Sequence, residues 1–176
     1  SDFVYNNTVN AGGSKTEDIS GNADIIFAID STGSMSGYIG SVKENLKNFV
    51  KSLNGKGVSL NMSVVEFRDI YADGTDSTVY HEIDGKKWTD DVNKIIEVFD
   101  SIYANGGGDT DETPIDAFEK FTDFSTLGSD KSIFEFPRED STKFVFLLTD
   151  AGFKDYENTD ENIAENHYNM DWWTEQ

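Results

Sequence analysis

The chain contains no cysteine, which excludes a disulfide framework and any thiolate-bound metal, though not an extracellular location. Histidine is almost as scarce. His81 and His167 stand in no spaced zinc motif, so both are expected at the surface. Without a histidine base nearby, Ser31, Ser34 and Ser36 have no nucleophilic triad, and no enzymatic activity is expected. No apolar run reaches membrane-spanning length and no signal peptide opens the sequence, so direct membrane insertion is not expected. Basic residues are few: 14 Lys and Arg face 34 Asp and Glu, for a formal net charge of -20. Such a field repels nucleic acid and anionic lipid. It suits a secreted or surface protein, a divalent-ion binder or a basic partner, and equally a plain solvated acidic face.

What is present is enough for one core. The 176 residues are 36% hydrophobic and 13% aromatic, within the range of a single domain with a sheet covered by helices. Residues 1–22, rich in Asn, Gly, Ser and Thr, read as an N-terminal leader or linker, and 23–176 as the domain. The continuous apolar run at 23–29 predicts a strand buried on both faces. Tyr38, Ile39, Val42, Leu46, Phe49, Val50 and Leu53 then recur at intervals of three and four, which predicts a one-sided helix closing near Asn54-Gly55.

A second strand is expected over 59–68, with a bulge or two-sided burial at Val64-Val65, and a short edge strand over 78–82. A helix over 90–103 would be capped by Thr89. Gly106-Gly107-Gly108 ends regular structure, and a further helix starts at Thr113-Pro114. The stretch 125–142 reads as an external excursion with a short strand at 133–136. The run at 143–149 reads as a second strongly buried strand that delivers Asp150. Beyond it lie a polar helix at 158–169 and the Trp172-Trp173 pair, with no late apolar strand. The fold class is therefore α/β: a doubly wound, mostly parallel sheet with helices on both faces. Its C-terminal end is expected to lack further strand–helix units, so a second chain or a swapped segment is expected to cover that sheet edge, with Phe3-Val4-Tyr5 as one internal candidate.

The chemistry concentrates where strands end. Asp30-Ser31-Thr32-Gly33-Ser34 follows the first buried strand and sets three oxygen side chains, Asp30, Thr32 and Ser34, at alternate positions. Hard divalent cations take oxygen ligands, and open parallel sheets bind ligands beyond the carboxyl ends of their strands. Asp150 leaves the other buried strand, and the glycine loop leads to Asp109-Thr110. The expected metal ligands are Asp30, Thr32, Ser34, Thr110 and Asp150, with Asp109, Asp111 and Glu112 at the rim or acting through water. Few direct carboxylates favour Mg2+, with Mn2+ or Ca2+ as substitutes. The EF-hand spacing is missing. The glycine loop also lacks the Gly-Lys-Ser or Gly-Lys-Thr ending of a phosphate cradle.

On these residues the sequence resembles the von Willebrand factor type A domains over roughly 23–169. The resemblance implies a metal-ion-dependent adhesion site. Its first motif is matched by Asp30-Ser31-Thr32-Gly33-Ser34, with Thr32 where Ser is more usual. Its middle threonine falls on Thr110, with Thr113 opening a second, similar segment, and its later aspartate falls on Asp150. The family normally continues through strand–helix units that have no obvious equivalent before Gln176. The function implied is divalent-cation-dependent adhesion or protein recognition, in a bacterial extracellular or cell-surface protein, through a carboxylate supplied by the partner. The alternative is a noncatalytic scaffold whose metal stabilises loops without touching a partner.

Overall fold

An unbroken apolar run needs cover on both sides, and Asn22–Asp30 (β1) obtains it by lying in the middle of a sheet. The computed structural model describes residues 21–69, 73, 78–107 and 136–150, together with the backbone of 111–112 and 152–153. From Ala23 to Asp30 every residue of β1 is buried. Ser59–Phe67 (β2) lies parallel on one side and Thr142–Leu148 (β5) parallel on the other. Val79–Tyr80 (β3) closes the β2 edge antiparallel, in the order β3-β2-β1-β5. The result is the α/β, mostly parallel sheet expected from the sequence.

The β1–β2 crossover is Ile39–Gly55 (α1), preceded by a 3-10 turn at Gly33–Gly37. Its buried residues, Val42, Leu46, Val50 and Leu53, follow helical spacing and form one stripe. The second helix, Val92–Ser101 (α2), buries Ile95 and Phe99. Both join a cluster with Ile25, Phe27 and Ile29, so the two described helices share one face of the sheet. Phe27 anchors it, edge-on to Phe99 at 5.2 Å and stacked on Phe146 at 5.7 Å. Such pairs add about 0.5–1.5 kcal/mol each beyond area burial. Ile26, Ala28, Val65 and Phe67 form the opposite core, against which Trp88 and Phe136 pack.

Several expectations change. Val64 and Val65 pair with Phe27 and Ala28 in an uninterrupted register and both are fully buried, so the broken alternation reflects two-sided burial and not a bulge. The cap of α2 is Asp91, whose carboxylate accepts from the Asn93 and Lys94 amides at 2.8 and 3.4 Å. Thr89 is drawn away because its backbone exchanges two hydrogen bonds with Met62, at 2.8 and 2.9 Å. The strand expected to be strongly buried, β5, is only half-buried from Phe144 to Leu147, and Leu148 is its one buried residue. It is the last strand of the described sheet, with β1 as its one partner among the described residues. His81 is no free surface residue: it is half-buried, its Nε2 2.5 Å from Glu66 Oε2. The expected elements at 113–121, 133–135 and 158–169, Phe3-Val4-Tyr5 and Trp172-Trp173 lie outside the described residues.

At the amino ends of the parallel strands, the fully buried Asp24 is held by Arg138, with Nε at 2.8 Å and Nη2 at 2.6 Å from Oδ1. The same guanidinium donates to the Ala23 carbonyl at 2.9 Å and the Ser59 carbonyl at 3.0 Å, and Ser141 Oγ donates to Asp24 Oδ2 at 2.6 Å. This arginine ties β1, β2 and the entry to β5 together.

Candidate metal centre

At the carboxyl end of β1 the chain leaves the sheet through a buried turn. The Ser31 amide donates to the Phe67 carbonyl at 3.1 Å and the Thr32 amide to Asp30 Oδ1 at 2.9 Å. The turn points Asp30, Thr32 and Ser34 at one place. Thr32 Oγ1 donates to Asp30 Oδ1 at 2.5 Å and stands 3.1 Å from Ser34 Oγ. Ser34 Oγ donates to Asp150 Oδ1 at 3.0 Å. Because Ile29 faces Leu148 in the parallel β1–β5 register, Asp150 arrives just beyond the same edge. Four of the five expected ligands, Asp30, Thr32, Ser34 and Asp150, are thus brought together.

Thr110 and Asp109 lie outside the described residues. Asp111–Glu112 (β4) pairs in parallel with Gly152–Phe153 (β6), which joins the segment after the glycine loop to the segment after Asp150. The glycine loop itself meets the β1 turn: the Gly33 amide donates to the Gly106 carbonyl at 2.9 Å, and the Asn105 amide to the Ser31 carbonyl at 2.8 Å.

Burial is graded across the cluster. Asp30 and Thr32 are 0% and 1% exposed, whereas Ser34 and Asp150 are exposed to solvent. A buried carboxylate needs a countercharge or a full set of donors. Asp24, at the other end of β1, has an arginine. Among the described residues Asp30 has only neutral donors: the Thr32 amide, the Thr32 hydroxyl, and Thr149 Oγ1 at 2.7 Å from Oδ2.

The two hydroxyls sharpen the point. Each carries one proton, and the contacts direct one to Asp30 and the other to Asp150. Thr32 Oγ1 and Ser34 Oγ also stand 3.1 Å apart, so two hydroxyl and two carboxylate groups meet at one place. Hydroxyl and carboxylate oxygens gathered in this way fit a hard divalent cation. The donor set is hydroxyl-rich: among the described residues no three Asp, Glu or His side chains gather where they could hold a metal.

Sequence reasoning missed two participants. One is Thr149, whose place beside Asp150, just past the strand that pairs with β1, is its usable signal. The other is Asp73, whose Oδ2 accepts the Gly107 amide at 2.7 Å, a contact across 34 residues that no local spacing announces. Nearby on β2, burial pushes the Glu66 carboxyl up, but the hydrogen bond and charge of His81, joined by Ser31 and Arg68, hold it below the usual glutamate range.

The sequence model of the von Willebrand factor type A domain matches residues 24–170. Among curated proteins, an ariadne-like RING finger protein of Acanthamoeba polyphaga mimivirus is 28% identical over 89 residues, 51% of this chain. The chain covers only 8% of that protein's length.

Proposed function

The chain belongs to the von Willebrand factor type A domain family, whose members commonly mediate adhesion and bind protein partners, and from that premise we propose that it recognises its partner through a bound divalent cation. The observation that carries this reading is the pair of hydroxyl oxygens, Thr32 Oγ1 and Ser34 Oγ, set 3.1 Å apart between the carboxylates of Asp30 and Asp150. Asp30, Thr32, Ser34 and Asp150 would hold the ion, and Thr110 would complete the set expected from the sequence. When bound, the cation supplies Lewis acidity and an open position for an oxygen anion.

Asp30 sits at the buried base of the cluster, while Ser34 and Asp150 form its exposed mouth. A ligand arriving from solvent therefore meets the site from the Ser34–Asp150 side. With Asp30 acting partly through water, the ion is left incompletely neutralised by direct ligands and can attract a partner's carboxylate, and the few direct carboxylates favour Mg2+, with Mn2+ or Ca2+ as substitutes. The reading is noncatalytic, and it places the domain in a bacterial extracellular or cell-surface protein, where such contacts join one molecule to another. A second chain or swapped segment along β5 belongs to the same reading, since Phe144, Val145, Phe146 and Leu147 are only half-buried there.

Calorimetric titration of the protein with Mg2+ and Mn2+ tests the ion, and Asp30→Ala should abolish the heat. Acetate tests the open position. Its methyl protons should relax faster in the presence of the Mn2+-loaded protein than with Mn2+ and Asp30→Ala protein. An ion that binds without relaxing acetate supports the rival reading, a scaffold whose metal is enclosed by protein oxygens such as those of Asp109 or Glu112.

A further inference from the structure

Asp73 belongs to the excursion between β2 and β3, remote in sequence from every expected ligand, yet it is the carboxylate against which the glycine loop closes. Its Oδ2 accepts the Gly107 amide at 2.7 Å. Gly106, at φ +74°, comes so close that a Cβ there would press on Asp73 Oδ1 and lie 2.9 Å from its Cγ. A side chain there would push the Asp73 carboxylate aside, and the positive φ independently favours glycine. Gly106 in turn offers its carbonyl to the Gly33 amide at 2.9 Å, and Gly33 stands between the two hydroxyl residues Thr32 and Ser34. A Cβ on Gly33 would meet that same carbonyl at 3.0 Å, so the turn and the loop touch backbone to backbone. Asn105 adds a parallel tie through its amide to the Ser31 carbonyl.

We infer that Asp73 is a positioning residue of the metal centre, clamping the Gly106-Gly107 loop onto the β1 turn so that Thr32 and Ser34 keep their spacing. The inference rests on the cation reading above. The linkage runs Asp73, Gly107, Gly106, Gly33, and every step in it is a hydrogen bond or a peptide bond. A backbone amide accepted by a carboxylate is a charge-assisted bond, stronger than its neutral counterpart. The loop is thus anchored more firmly than glycine-rich backbone would be by itself. Residues that orient metal ligands without touching the metal commonly change affinity by about 10–100-fold when removed.

The carboxylate also contributes a negative charge near the site, and this must be separated from its clamping role. Asp73→Asn keeps an oxygen acceptor for the Gly107 amide and removes the charge, while Asp73→Ala removes both. Mn2+ affinity, read by titration calorimetry, should weaken about tenfold or more in Asp73→Ala and stay within about threefold of wild type in Asp73→Asn. Equal losses in the two variants would mean that charge alone acts, and would overturn the clamp.

Amide hydrogen exchange on the metal-free protein provides the second reading. Exchange at Gly107 and Gly33 should accelerate several-fold in Asp73→Ala and far less in Asp73→Asn, with the amides of β1 unchanged as the control for folding. Unchanged exchange at both glycines in Asp73→Ala would refute the inference, as would faster exchange with Mn2+ affinity intact. A wild-type protein that takes up no cation overturns the metal reading instead, and the exchange experiment still decides whether Asp73 clamps the loop.

Discussion

Ser34 and Asp150, 116 residues apart in sequence, meet through a hydrogen bond of 3.0 Å at the mouth of the candidate site. The bond crosses from the turn after β1 to the residue beyond β5, so it exists only if those strands lie side by side in the observed register. It therefore reports on the fold and the site together.

Removing that link should separate the two. Ser34→Ala deletes an exposed hydroxyl, so its cost in stability should be modest, about 1 kcal/mol or less by urea unfolding. Its cost to the ion should be larger. Wild-type protein should gain thermal stability as Mg2+ is raised, by about 2.7 kcal/mol at a concentration of 100 times the dissociation constant. The Ser34→Ala protein should require clearly more Mg2+ for the same gain. An identical Mg2+ dependence in the two proteins would remove Ser34 from the ligand set.

Arg138 should matter to folding far more than its partial exposure suggests. Arg138→Met leaves Asp24 buried without a countercharge, and breaking a buried pair in this way costs about 3–5 kcal/mol. Asp24→Leu combined with Arg138→Met removes both charges and should recover most of that loss. Chemical denaturation of the wild type and the two variants measures it. Equal stability of the single and double variants would show that the lost arginine bonds to Ala23 and Ser59, and not the orphaned charge, dominate.

The Glu66–His81 contact gives the stability a pH signature. The folded carboxyl is held below the usual glutamate value of 4.5, so its contribution is fully present above that value and is lost as pH falls through the folded one. Acid unfolding should therefore reach into the β2–β3 edge, where His81 follows Tyr80. His81→Gln, which keeps a polar side chain but no charge, should move the acid midpoint upward. An unmoved midpoint, followed by circular dichroism at several urea concentrations, would show that the pair carries no such linkage.

Much of this architecture is legible in the residues because it is local. Asp30, Thr32 and Ser34 announce themselves by alternate spacing after an apolar run, and Asp150 by ending another. The stripe Val42, Leu46, Val50, Leu53 marks its helix just as directly. What escapes is whatever the tertiary register decides. Thr89 and Asp91 are both competent caps two residues apart, and only the backbone pairing of Thr89 with Met62 selects Asp91. The run from Phe144 to Leu148 shows that a strand is apolar and not whether a neighbour covers its far side. Thr149 and Asp73 reach the site from strands and loops far apart in sequence, so no window of residues contains the contact.

The arginine at the opposite pole acts on the site from a distance. Because Arg138 grips Asp24 and the backbone of Ala23 and Ser59 just before β5 begins, the fifth strand enters the sheet already in step with the first. Sliding by a single residue would invert its faces, and sliding by two would carry Thr149 and Asp150 about 6.6 Å past Asp30. The alignment of oxygens at the top of the molecule is thus guarded by a guanidinium at its foot.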